Sequence, residues 1–129
     1  MNNTEMRQAI RTAMGMSPAQ LNYISTKAHY DNVYPQYIKE VGPAYDVKDK
    51  GKSIQALIEV DKKFNWSAIT DAKIEAEKEL VEWGRNLLKE KSPERYEKVK
   101  RVFDEYLFHP QIHEQLMDLL LRLKISEVN

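Results

Sequence analysis

The stretch from Ser67 to about Lys89 constrains this chain more than any other. Ile69, Ala76 and Trp83 recur every seven residues with Leu80 and Leu87 beside them, while Ile74, Val81 and Leu88 form a second row roughly 140° away around a helix. A helix with one apolar row lies on a surface, but two rows require cover on two sides. The pattern therefore predicts a central helix near residues 67–89, with the other elements packed around it. Gly84, beside Trp83, costs about 1 kcal/mol of helix stability against alanine and marks a place where another helix can approach closely.

Helical periodicity extends to almost every other long segment. A first helix is expected from about Thr4 to Met14, with Met6, Ala9, Ile10 and Ala13 on one face and Gly15 past its end. "SPAQ" then supplies a start signal, with Ser17 as cap, Pro18 at the first helical position and Gln20 where a capping box places its return bond. Leu21, Ile24 and Ala28 form the expected inward face of this second helix. Pro35 deletes a backbone hydrogen bond and crowds the preceding turn, so a kink or break is expected near residues 32–34, and the segment should end at Gly42–Pro43 before a polar loop over 43–52.

Residues 53–64 carry two patterns at once. Ile54, Ala56, Ile58 and Val60 alternate as in a strand, whereas Ile54, Leu57, Ile58 and Phe64 fit a helix capped by Ser53. A lone strand has nothing to pair with here, which favours the helix. "SPER" at Ser92 opens a further helix striped by Tyr96, Val99, Phe103, Tyr106 and Leu107, and "HP" at 109–110 ends it. Ile112, Leu116, Leu119, Leu120 and Leu123 stripe the last. The expected fold is all-α, five or six helices in one domain spanning residues 1–129.

The chain of 129 residues has no cysteine, so thiol catalysis, thiolate metal sites and disulfides are excluded together, which fits a reducing compartment and a cytoplasmic address. Neither the start nor the longest apolar stretch, "LMDLLLRLKI", reads as a signal core or membrane span. Lys plus Arg equals Asp plus Glu at 20 each, so no global field draws the chain to nucleic acid or anionic lipid. Local charge alternates instead: −3 over 66–84, +4 over 85–101 and −3 over 102–129. Blocks of that kind support pairing between helices or between subunits.

Four glycines, at 15, 42, 51 and 84, cannot build a phosphate loop, and no nucleophile elbow is present. His109 and His113 are one helical turn apart, the spacing of a two-histidine metal site, but Pro110 puts a helix boundary at His109, and a third ligand would have to come from Glu105, Glu114 or the distant His29. No metal or cofactor is expected. Two features carry a nucleic-acid alternative. Residues 7–31 have a helix-turn-helix outline whose second helix offers only Gln20 and Asn22 near its start, and Arg85, Lys89, Arg95 and Lys98 lie across the basic junction 85–101.

The segment "AHYDNVYPQYIKEVGPAYD", residues 28–46, holds Tyr30, Tyr34, Tyr37 and Tyr45. With Tyr23, the residues Tyr30 and Tyr37 make a seven-residue row toward the margin of the inward face, and Tyr34 lies one turn from Tyr30. Tyrosine buries its ring while its hydroxyl stays wet, which suits a core edge and a partner surface equally. These features lead to a non-catalytic interaction protein, an adaptor, inhibitor or assembly subunit that binds a protein partner or itself through Tyr30, Tyr34 and Tyr37. Nucleic-acid regulation is the first alternative, and a ligand carrier or enzyme with a cavity among its helices is the second.

Overall fold

A computed structural model describes residues 2–124. Six α-helices make up most of them: α1 (Asn3–Ala13), α2 (Pro18–Tyr45), α3 (Lys50–Phe64), α4 (Trp66–Lys91), α5 (Pro93–Glu105) and α6 (Pro110–Arg122), with a 3₁₀ turn over Tyr106–Phe108. There is no strand among the described residues, so the 53–64 ambiguity resolves to helix. The sequence's last acidic block ends in Glu127, and the stretch "LMDLLLRLKI" ends in Ile125, both outside the described residues. Contacts group the chain into two compact units, one formed by residues up to Tyr23 and from Ala76 onward, the other by Ile24–Glu75. Helices α2 and α4 each supply residues to both.

The start signals form as the residues dictate. Ser17 N–H donates to Gln20 Oε1 at 2.7 Å and Gln20 N–H donates to Ser17 Oγ at 3.2 Å, a reciprocal capping box. Gln20 does more than cap. Its side-chain amide donates to the carbonyls of Leu120 at 2.8 Å and Leu123 at 2.7 Å, so one buried residue closes the start of α2 and the end of α6. α1 has its own capping box, Asn2 with Glu5.

The first unit surrounds a sealed core in which Ala76, Leu80 and Val81 of α4 meet Tyr23, Tyr96, Phe103, Tyr106, Leu116, Met117 and Leu120. Gly84 permits the close approach its position suggested, because a methyl group there would overlap Leu120 Cδ2. The 85–101 and 102–129 charge blocks meet at Arg85, whose guanidinium donates to Asp104 at 3.0 Å and to the Phe103 carbonyl at 3.1 Å. Val99, Leu107 and Leu119 were placed on core stripes but are exposed. In each case the larger rings of Tyr96, Phe103 and Tyr106, or the neighbouring Leu116, Met117 and Leu120, occupy the interior instead.

The second unit departs further from expectation. α2 does not break near residues 32–34 and does not end at 42–43; it runs unbroken through Pro35 and Pro43 to Tyr45. The carbonyls that those prolines leave without an intrahelical donor belong to Asp31 and Lys39, both exposed, so water can satisfy them. The polar loop shrinks from 43–52 to residues 46–49. Asp49, not Ser53, caps α3 by accepting from Lys52 N–H at 3.0 Å, and Ser53 Oγ turns back to donate to the Ala44 carbonyl at 2.9 Å, closing the end of α2. Asn65, at φ 53°, ends α3 in the left-handed conformation that asparagine tolerates, and α4 begins at the next residue.

Candidate functional site

The tyrosine row starts in the interior and runs to the margin of α2, with Tyr30 and Tyr37 half-buried like Leu21 and Ile24. Tyr23 is buried in the core of the first unit, whereas Ala28, expected inward, faces solvent. An aromatic ring removes about 150–250 Å² from water and an alanine far less, so the helix turns its rings toward cover.

In the second unit that cover is Trp66. Tyr37 stacks on it with centroids 4.3 Å apart and planes 13° apart, Tyr30 lies at 4.8 Å, and Tyr34 at 5.8 Å. Tyr30 and Tyr34 stack on each other at 5.8 Å, Phe64 meets Tyr37 edge-on at 6.2 Å, and Lys73 Nζ sits 4.2 Å over the Tyr30 ring. Tyr30 and Tyr37 are half-buried in this stack and Tyr34 remains exposed. Burial, reinforced by the carboxylate of Asp61, raises the Tyr37 phenol above its ordinary value.

Beside the stack, the exposed face of α3 and Tyr37 of α2 border a shallow, open groove of about 440 Å³ lined by Tyr37, Ile54, Leu57, Ile58, Asp61 and Lys62. Ile54 and Ile58, one helical turn apart, are 58% and 49% exposed, so α3 directs its apolar pair into this groove and leaves it uncovered. Lys63 reaches Glu40 at 2.7 Å and ties α3 to α2, and Ser67 Oγ donates to Asp61 at 2.9 Å.

Sequence reasoning missed Trp66, Ile54 and Ile58 as site residues. Periodicity found α3 as a helix but could not tell which neighbour its apolar stripe faces. Trp66 follows the left-handed Asn65 and begins a helix, so no repeat marks it.

The other candidates are dispersed. Arg85 is engaged by Asp104, Phe103 and Tyr96, and lies 3.8 Å from Glu82, while Lys89 sits 5.1 Å over the Tyr96 ring. Its partners Asp104 and Tyr96 outweigh the burial that opposes a charge and hold the Arg85 guanidinium above its ordinary pKa. Of the four, Arg85 is engaged within the chain, and Lys89 on α4 and Arg95 and Lys98 on α5 are exposed.

His109 and His113 part in the same way. His109 is exposed at the start of α6, whereas His113 Nε2 lies 2.8 Å from the buried Glu77 Oε2 and edge-on to Tyr106. His29 is exposed on α2. Among the described residues no three His, Asp or Glu are placed to hold a metal ion, and no helix is long and apolar enough to cross a membrane. The N-terminal helix-turn-helix outline is present as α1, the Gly15 turn and α2, with Gln20 consumed by capping and Asn22 Nδ2 donating to Glu79 at 3.1 Å. No family model, curated protein or solved structure matches the chain.

Proposed function

We propose that this is a non-catalytic interaction protein, an adaptor, inhibitor or assembly subunit that takes an amphipathic helix against the α2–α3 groove. The observation that carries the reading is the uncovered pair Ile54 and Ile58 beside Tyr37. Apolar side chains one turn apart along a shallow, open groove suit a helix that lays its own i, i+4 anchors against it. Of the three tyrosines, Tyr37 lines the groove, and Tyr30 and Tyr34 brace it through Trp66, with Tyr34 offering exposed ring surface at the edge. A chain without cysteine is suited to work in the reducing cytoplasm. The engagement of Arg85, Gln20 and Asn22 within the chain weighs against the nucleic-acid alternative.

The test is site-specific photo-crosslinking in cells, with a benzophenone amino acid at position 58 and, as control, at the exposed position 90. A covalent polypeptide adduct from 58 and none from 90 is expected. Equal adducts from both positions, or none from 58, would remove the groove as a recognition surface.

A further inference from the structure

We infer that the groove's occupant is α1 of a second copy of this chain, exchanged reciprocally in a two-fold dimer; this rests on the groove reading above. α1 is an 11-residue helix with no buried residue, although Met6, Ile10 and Met14 are spaced to form one apolar face. These side chains are 49%, 57% and 64% exposed. A helix of fewer than about 12–15 residues is marginal in water unless an apolar face is packed. α1 therefore needs a surface, and the α2–α3 groove is a surface that lacks a helix.

The two faces match in spacing, and one acid of the groove can meet a base of α1. Ile10 and Met6 or Met14 are one turn apart, as are Ile54 and Ile58. Arg7 and Arg11 run along one side of the α1 face and make no ion pair among the described residues. Asp61 lines the groove with Lys62 beside it, so Asp61 is the acid among its lining residues that an arginine can meet. Setting Arg11 against Asp61 gives the docked helix one ion pair in the groove. Glu5, six residues earlier and so about 9 Å along the axis, then falls away from Asp61. Gly15, at φ +87°, makes the turn that separates α1 from α2.

Exchange in both directions closes the assembly at two copies, whereas one-way insertion would build a ring or filament. The same two substitutions therefore test both the contact and its symmetry. Ile10→Asp disables the inserted helix and Ile58→Asp disables the groove, and both side chains are exposed enough for the fold to tolerate a carboxylate. Met6→Asp and Ile54→Asp serve as second variants if circular dichroism shows either to be unfolded.

Sedimentation of the full chain is expected to give a dimer. Because each substitution strikes both symmetric contacts, each should raise the dissociation constant roughly a hundredfold or more. The decisive arm mixes the two: labelled Ile58→Asp keeps a good α1, Ile10→Asp keeps a good groove, and anisotropy should rise saturably on mixing. Titrating labelled Ile58→Asp with unlabelled Ile58→Asp should leave it flat. A wild-type dimer that survives both substitutions, or variants that fail to complement, would overturn the exchange, as would a wild-type monomer at every concentration. Position-58 crosslinks to another polypeptide would then leave the groove reading standing, and their absence would end both.

Discussion

Where residues up to Tyr23 and from Ala76 onward come together, apolar side chains from α2, α4, α5, α6 and the 3₁₀ turn close over one another, and Gln20 satisfies two helix ends from the inside. Residues 24–75 hold together differently. Among their described side chains, only Ala44, Ser53 and Ile69 are fully buried, and the larger contacts are half-exposed rings stacked on Trp66. The sealed core stabilises the first unit, although Leu107, Phe108 and Leu119 stay exposed on its outside. A stack at the edge of a groove yields less burial per side chain, but it holds an apolar surface open, which is what recognition needs.

Core truncation should test that contrast most strongly. Leu80 is fully buried, and Leu80→Ala should cost about 2–5 kcal/mol by urea unfolding, since lost transfer energy and a residual cavity add. Ile58→Ala in the groove should stay within about 0.5 kcal/mol when read on the monomer, below the dimer's dissociation constant, as exposed substitutions do. Equal costs would mean that the groove is closed in solution.

Gln20→Ala comes next, at roughly 3 kcal/mol, because it strands the carbonyls of Leu120 and Leu123 and removes the return bond to Ser17. If the loss is instead that of a simple cap, about 1 kcal/mol, then water replaces the amide at the end of α6. Trp66→Ala should cost about 2 kcal/mol through its three tyrosine contacts. Its signature is regional: amide exchange should accelerate in residues 24–75 and stay slow around Leu80 and Leu116. Uniform acceleration would show that the two units unfold as one.

These tests also bear on what could be read from the sequence. Signals acting within a few residues were legible, such as Ser17 with Gln20, Pro18, and the first row of α4, which supplies Ile69 to one unit and Leu80 to the other; the second row holds at Val81 and fails at Ile74, which is exposed. Gly84 was legible as a close approach because a glycine in a helix has few other justifications. Pro35 does not break the helix, because its cost depends on whether the freed Asp31 carbonyl meets water, which is a tertiary fact. The groove was hidden for the same reason: Ile54 and Ile58 show helix periodicity, and only the position of α2 decides whether that stripe faces a neighbour or the solvent.

The smallest effect separates the two units by proton. Burial raises the Tyr106 phenol in the first unit, with Glu77 and Glu82 adding to the shift and Arg85 opposing it; burial and then Asp61 raise Tyr37 in the second. A tyrosine raised in the folded state holds its proton more tightly there than in the unfolded chain. Its contribution to stability is therefore complete below about pH 10, the ordinary phenol value, and is lost as pH climbs from there through the folded value. Phenolate absorbance of the wild type, read against Tyr37→Phe and Tyr106→Phe, isolates each step, and both should lie above that ordinary value. A Tyr37 step at the ordinary value would mean that water reaches the phenol freely and that its stack on Trp66 is open in solution, which would unseat the wall of the groove while leaving the sealed core around Tyr106 untouched.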